Sequence, residues 1–221
     1  LFKLKKRPQW FTVTNRSRTY VKKILSKISG EYFKNYEINK IKRISNCVQI
    51  YYGGNSEFFD YDKVVLATHA DEALSLIENP TFQEKEILSN FKYKENLAVI
   101  HTDEKIMPRN KTTWSSWNSY VDPKNLNKSS LTYWLNLLQN LKTKKNIFLT
   151  LNPIKNISED KILKKVNFTH PYYDQLALDN QIKLKTLQNR DKILFCGSYF
   201  GYGFHEDGIK SSIEMIKSLN D

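Results

Sequence analysis

The residues best suited to chemistry are concentrated near the end of the chain. Gly197, Gly201, Gly203 and Gly208, four of its seven glycines, fall within twelve residues. They alternate with Ser198, Tyr199, Phe204, His205, Glu206 and Asp207 in the run GSYFGYGFHEDG. Glycine lets backbone approach a ligand closely or adopt positive φ. An apolar run ending at Cys196 precedes the glycines, and an amphipathic pattern with Ile209, Ile213, Ile216 and Leu219 on one face follows. A strand feeding such a turn into a helix N-terminus presents free N–H groups and the positive end of a helix dipole. That combination suits a phosphate or an electron-rich ring edge, so a nucleotide-type cofactor is the ligand expected there. Asp207 stands where a helix N-cap belongs.

The other candidates are more dispersed. His69, His101, His170 and His205 show no HxH or HExxH spacing, and no metal site is expected. Thr68 and His69 close the run KVVLAT at 63–68. Cys47 and Cys196 lie far apart without metal-like spacing, which fits a reduced, cytoplasmic setting. No spacing supports a Ser–His–Asp or Cys–His constellation. Trp114, Trp117, Tyr120, Tyr133 and Trp134 form an aromatic concentration. Core packing is its first reading and an apolar substrate tunnel its second.

Behind these residues the pattern alternates between helix and strand. Residues 10–14 (WFTVT) read as a short strand or extended entry. From Ser17 a helical face of Val21, Ile24, Leu25 and Ile28 leads to Gly30 as a C-terminal cap. Strands are expected at 38–44, 48–52 and 57–59, with a Gly53–Gly54–Asn55 turn between the last two. KVVLAT reads as a strand buried on both faces of a parallel sheet. Short helices follow at 71–77 and 82–91. Strands at 97–102, 113–118, 130–138 and 147–151 suggest a mainly antiparallel sheet, and Pro171 opens a helix with Tyr173, Leu176, Ala177, Leu184 and Leu187 as its stripe. The expected fold is mixed α/β and discontinuous. Residues 1–78 and 189–221 would form one α/β layer structure, and 79–188 an inserted sheet-rich domain.

With 40% apolar residues in a chain of 221, a packed core is expected. The net charge of +12 raises the question of nucleic acid. However, 29 of the 35 basic residues are lysines scattered along the chain, and the densest cluster is Lys3, Lys5, Lys6 and Arg7 at its start. Abundant lysine, asparagine and isoleucine look like the codon usage of AT-rich DNA, so no specific nucleic-acid partner is expected. No run approaches the ~18 apolar residues of a membrane span, and no signal peptide is evident.

Several motifs, in order, resemble one family. RPQWFTV, SRTYV, FDYDKVVLATHADEAL, ENLAVIHTDEKIMPR, WSSWN, LTYWLNLLQ, FLTLNP, HPYYD and FCGSYFGYGFHEDGIKSS are similar to the C-terminal two-thirds of bacterial FAD-dependent oxidoreductases of the amine oxidase and phytoene desaturase group. The resemblance covers nearly the whole chain. It implies a partial FAD-binding, Rossmann-like domain with an antiparallel substrate domain inserted. The GxGxxG fingerprint that opens this family is absent from the 221 residues, so the chain is expected to be the later portion of a longer protein. The resemblance places Ile38 beside the adenine, and Thr68 and His69 beside the dinucleotide. It places Gly197 and Ser198 at the pyrophosphate and ribityl chain, followed by Tyr199, Gly203 and Phe204. His205, Glu206, Asp207 and Gly208 would stand at the flavin pyrimidine edge. It assigns no catalytic base. The implied activity is hydride removal from a C–N or C–C bond of an amine or apolar small molecule, with Trp114, Trp117, Tyr133 and Trp134 lining the substrate pocket. Peripheral contact with an anionic membrane would fit an apolar substrate and a lysine-rich surface. The alternative is a remnant or binding module of the same fold that holds no FAD.

Overall fold

The structure, a computed structural model, describes residues 9, 11–54 and 57–219. Trp10, Asn55 and the cluster Lys3, Lys5, Lys6 and Arg7 lie outside the described residues. In chain order the elements are α1 (Ser17–Leu25), β1 (Ile38–Arg43), β2 (Val48–Tyr52), β3 (Glu57–Tyr61), β4 (Val64–Leu66), α2 (Ala70–Leu76), α3 (Phe82–Leu88), β5 (Lys92–His101), β6 (Trp117–Asp122), β7 (Asn125–Trp134), α4 (Leu135–Leu138), β8 (Phe148–Leu151), β9 (Ile162–Tyr172), α5 (Gln175–Gln181), β10 (Ile193–Phe195) and α6 (His205–Lys217). Short 3-10 turns link several of them. Among the described residues three sheets result, with strand orders β1-β2-β3, β10-β4 and β6-β7-β8-β5-β9. The fold is mixed α/β with antiparallel sheets, as the alternating pattern implied.

The chain divides into two compact units, residues 1–34 with 99–165, and 35–98 with 166–221; both boundaries within the large sheet fall inside β5 and β9.

In the unit of residues 35–98 and 166–221, β1, β2 and β3 form an antiparallel meander in which Ile41 pairs Ile50 and Ile50 pairs Phe59. β4 and β10 run parallel, with Val64 opposite Ile193, Val65 opposite Leu194 and Leu66 opposite Phe195. Ile41, Val48, Val64, Leu66, Ala70, Ala73, Leu88, Leu184, Leu187, Ile193 and Phe195 share one core. Helix α3 starts with a reciprocal cap: Glu84 N–H donates to Thr81 Oγ1 (3.2 Å) and Thr81 N–H to Glu84 Oε2 (2.7 Å). The buried Glu84 carboxylate also accepts from the Arg43 guanidinium.

In the unit of residues 1–34 and 99–165, β6 and β7 form a hairpin continued by β8, with Thr132 opposite Thr150. A polar chain is sealed in its centre. His101 Nδ1 accepts from Asp103 N–H (3.1 Å), so His101 Nε2 is the protonated nitrogen and donates to Thr150 Oγ1 (2.8 Å). Thr150 Oγ1 in turn lies 2.9 Å from Thr132 Oγ1. The Asp103 carboxylate accepts from Lys105 N–H and Ser158 N–H, both at 3.1 Å, and from Lys161 Nζ at 3.4 Å.

Several expectations need correction. Residues 11–13 have no regular structure, because Asn15 and Arg16 turn the chain at φ 59° and 68° and Arg16 N–H closes onto Val13 O (2.8 Å). Helix α1 stops at Leu25, five residues before Gly30, and its apolar face (Val21, Ile24) is exposed. The aromatic run at 113–118 begins as a 3-10 turn (Lys111–Thr113), and the strand starts only at Trp117. Pro171 does not open a helix. It lies in β9, a long strand that the sequence pattern missed, at the edge of its sheet, where a missing N–H is tolerated. Asp174 caps α5 instead, accepting from Ala177 N–H (3.0 Å). Leu176 of the expected stripe faces out, while Ala177, Leu184 and Leu187 are buried. KVVLAT is a parallel strand as expected, but Val65 is 42% exposed. Helix α6 buries Ser211 and Met215, and leaves Ile209, Ile213 and Ile216 outside.

Candidate functional site

The glycine-rich turn is built where two parallel strands end together. β4 delivers Thr68 and His69, and β10 delivers Gly197, at one end of the same two-stranded sheet. A Cβ on Gly197 would lie 3.4 Å from the Thr68 carbonyl and 2.7 Å from the Tyr199 ring, so only glycine lets the strands leave the sheet this close together. Ser211 ties the turn to α6: its Oγ accepts from Gly197 N–H (2.9 Å) and donates to Gly208 O (2.7 Å). Gly208 lies against Ser198, whose backbone nitrogen would be 3.9 Å from an added Cβ.

Asp207 works differently from its expected role as N-cap. Phe204 occupies the cap position with no side-chain acceptor, and Asp207 is the third helical residue. From there its carboxylate reaches back to accept from Tyr202 N–H and Phe204 N–H, both at 3.0 Å. Gly201 packs directly on that carboxylate. Gly203, at φ 90°, packs on Tyr173 and Pro171, with the Tyr173 hydroxyl 3.2 Å from the position of a Cβ. That hydroxyl also donates to Ser198 O (3.4 Å). Gln181 Nε2 donates to the carbonyls of Tyr199 (3.1 Å) and Gly201.

The structure thus brings together Thr68, His69, Gly197, Ser198, Gly203, Asp207 and Gly208. His205 and Glu206 are exposed on the first turn of α6, with Glu206 paired to Lys210 (3.5 Å). Phe204 is also exposed. Tyr199 points inward. Its ring lies edge-on to Phe91 (5.3 Å between centroids), burial pushes its hydroxyl pKa up, and that hydroxyl has no partner among the described residues. Only its backbone faces the turn. Ile38 opens β1 in the other sheet of this unit, across from Tyr52.

His69 stacks on Tyr93 (4.2 Å, 14°), and its Nδ1 lies 3.4 Å from Thr169 Oγ1. Tyr93 OH accepts from Ala70 N–H (2.9 Å), the first helical residue of α2. Burial pushes the Tyr93 pKa up to about 12, against the opposing pull of that bond. Tyr93, Tyr173, Gln181 and Ser211 support the turn without having been expected at it. HPYYD contained Tyr173, and Ser211 follows Gly208 by the three residues of one helical turn. Tyr93 and Gln181 left no signal, because tertiary packing alone places them.

In the other unit, Trp114 packs edge-on against Trp134 (5.4 Å) and Phe148 (5.7 Å). Both indoles are satisfied: Trp114 Nε1 donates to Pro108 O (2.8 Å) and Trp134 Nε1 to Asn146 Oδ1 (3.0 Å). Trp117 meets Tyr133 edge-on (5.7 Å) and is 59% exposed. Among the described residues no group of three His, Cys, Asp or Glu is placed to hold a metal ion, and no helix is long and apolar enough to cross a membrane.

No protein-family profile matches the chain, and no curated protein matches it by sequence. Solved structures do match its fold. A CLA-producing fatty acid isomerase from P. acnes superposes with a TM-score of 0.62 at 12% identity, over 92% of this chain and 51% of that one. A putative protoporphyrinogen oxidase from Exiguobacterium sp. 255-15 gives 0.60 at 9% identity, over 92% and 51%. A putrescine oxidase double mutant redesigned in its cofactor binding gives 0.60 at 7% identity, over 93% and 52%. At these identities the likeness is one of fold: the chain has an amine oxidase-like architecture. It spans about half the length of the structures it matches.

Proposed function

We propose that this chain is part of an FAD-dependent oxidoreductase that removes a hydride from a C–C or C–N bond of an apolar or amine substrate. The observation that carries this reading is the meeting of Thr68, Gly197 and the start of α6 at one end of a parallel strand pair. In open α/β sheets, ligands bind beyond the carboxyl ends of parallel strands. A helix N-terminus there favours negative charge. Bound FAD would supply the electron sink for the hydride, chemistry that belongs to the cofactor.

The residues at the turn fit such a group. Gly197 and Ser198 offer close backbone to a pyrophosphate or ribityl chain, and His205 to Gly208 present the positive end of α6 to the ring. Thr68 and His69 flank the same position, Ile38 is the candidate adenine contact, and the backbone of Tyr199, Gly203 and Phe204 completes the path. Trp114, Trp117, Tyr133 and Trp134 are the aromatic surface offered to substrate. The similarity to a fatty acid isomerase favours an apolar substrate over an amine, whereas the putrescine oxidase favours the amine. An apolar substrate would bring the lysine-rich protein to anionic membranes, where each nearby basic residue contributes about 1 kcal/mol.

One observation favours a second reading: the 221 residues contain no GxGxxG turn, so a module of this fold that holds no flavin is the rival. The test is an absorption spectrum of the protein purified with its entire reading frame. Flavin bands that bleach on anaerobic addition of unsaturated fatty acids or amines are the expected result. A colourless protein that takes up no added FAD overturns the oxidoreductase reading and leaves the module.

A further inference from the structure

Strands β5 and β9 carry a side-chain cluster that the glycine turn does not use. Asn96 Nδ2 lies 3.1 Å from His170 Nδ1, and Lys94 Nζ lies 5.7 Å from the centre of the Tyr172 ring. These two cross-strand contacts run in opposite order along the neighbouring strands, so β5 and β9 are antiparallel, with Asn96 opposite His170 and Lys94 opposite Tyr172. Side chains alternate along a strand. Phe168, His170 and Tyr172 therefore share one face with Lys94 and Asn96. Thr169 and Pro171 point to the other face, where they meet His69 and Gly203. All five residues of the cluster belong to the unit of residues 35–98 and 166–221.

The imidazole is held in one tautomer. Asn96 Nδ2 donates to Lys94 O (2.9 Å), which fixes that end of the amide as the nitrogen. An amide nitrogen only donates, so His170 Nδ1 is the accepting atom and Nε2 carries the proton. His170 and Lys94 are both exposed. Among the described residues, His170 Nε2 has no acceptor and Lys94 makes no ion pair. Apolar side chains flank the two donors. Phe168 stands edge-on to His170 (6.1 Å between centroids, 64°) and is 49% exposed, and Tyr172 is 52% exposed. The nearby acids do not compete: Glu95 alternates to the opposite face, and Asp174, just past β9, is held by Lys92 (2.8 Å). Diagonal neighbours across an antiparallel pair lie about 7–8 Å apart, a gap the long Lys94 side chain can close, so a single carboxylate reaches both donors. A protonated amine would meet a cation and an N–H donor instead.

We infer that this face of β5 and β9 is a binding site for an amphiphile with a carboxylate head and an apolar tail. Lys94 Nζ and His170 Nε2 donate to the two carboxylate oxygens, and charge-assisted bonds of this kind are the stronger class. Phe168 and Tyr172 take the tail, which removes their exposed rings from water. Asn96 is a positioning residue: it acts through His170, by keeping the proton on the nitrogen that faces the ligand. The site lies on the face of β9 opposite the residues that meet the glycine turn, and occupying it requires no flavin.

The experiment is a calorimetric titration of the full chain, without flavin, with decanoate, decylammonium, methyl decanoate and acetate, each below its micellar concentration. Decanoate should bind and move the His170 ring signals in nitrogen-15 spectra, and the other three should bind roughly tenfold more weakly or worse. Lys94→Met and His170→Phe should each weaken decanoate by about tenfold. Asn96→Ala should weaken it less and shift the His170 ring nitrogens towards the tautomer mixture of free histidine, a change that a merely structural role would not produce. Lys155→Met removes another lysine stacked over a tyrosine, Tyr120 (4.2 Å), and should leave the affinity unchanged. Thermal melts of the variants separate lost binding from lost folding. The inference is overturned by no measurable binding of decanoate, by equal binding of decylammonium, methyl decanoate or acetate, or by decanoate binding that leaves the His170 signals still. A chain that binds decanoate in this way and takes up no FAD supports the site and defeats the flavin reading, so the two fail separately.

Discussion

At the residue scale, Ser211 is the most consequential polar group in the glycine turn. Its hydroxyl links Gly197 N–H to Gly208 O, one end of the turn to the helix that follows it. Ser211→Ala leaves a part-buried N–H without its acceptor, which should cost about 1–3 kcal/mol. A denaturant titration checks this, and Ser211→Thr, which keeps the hydroxyl, should recover part of the loss. Gly203→Ala forces a side chain to φ 90° beside the Tyr173 hydroxyl, and a cost of about 1–3 kcal/mol is expected. The glycines and Asp207 were legible in the sequence because their types are tied to backbone geometry. The role of Asp207 differs from that of a cap, since a carboxylate at the third helical residue reaches back to the Tyr202 and Phe204 amides instead of forward to those of the first turn. Tyr199 could not be read. Nothing in its neighbours says that it turns into the core towards Phe91.

At the scale of elements, the ion pair between Arg43 on β1 and Glu84 on α3 joins a sheet to a helix in a nearly dry setting. Glu84 is 2% exposed, and Arg43 also donates to Asn79 O (3.4 Å) and Asp191 O (3.3 Å). Arg43→Met should destabilise by about 3–5 kcal/mol, because it leaves a buried carboxylate uncompensated. Arg43→Met together with Glu84→Gln should recover much of this in thermal melts. The meander β1 to β3, the parallel β4 and the final strand were all evident from apolar period and turn residues. β9 was not. Its run of lysines, asparagine and threonine alternates too weakly to signal a strand, and Pro171 invited a helix start. What holds β9 is its neighbour β5, and pairing across some seventy residues leaves no local trace.

At the scale of the whole molecule, the clearest expectation concerns acid. Burial lowers the His101 pKa below its ordinary value, partly opposed by nearby Asp103. A buried neutral histidine contributes no penalty above the unfolded pKa of about 6.5, and stability falls as pH drops from there towards the lowered folded value. For Asp103, burial acts upward but is outweighed by Ser158 N–H, Lys105 N–H and Lys161, which hold the carboxyl below its usual range. That contribution is present above about pH 3.9 and is lost as pH falls through the folded value. Thermal melts should therefore drop in two stages on acidification, the first beginning near pH 6.5. His101→Gln should flatten the first stage and leave the second; a variant that melts with the unchanged two-stage profile would show that His101 is not the group titrating.

Among the described residues, five of the eight non-glycine residues at positive φ are asparagines: Asn15, Asn35, Asn140, Asn152 and Asn189. Asparagine tolerates the left-handed region better than most side chains. Turns that other proteins would build on glycine are built here on an amide. Within the C-terminal turn that substitution is closed: a Cβ on Gly197, Gly201 or Gly203 would press on Tyr199, Asp207 or Tyr173. The amide that bends this chain elsewhere has no room there, and the turn keeps the residue the rest of the chain does without.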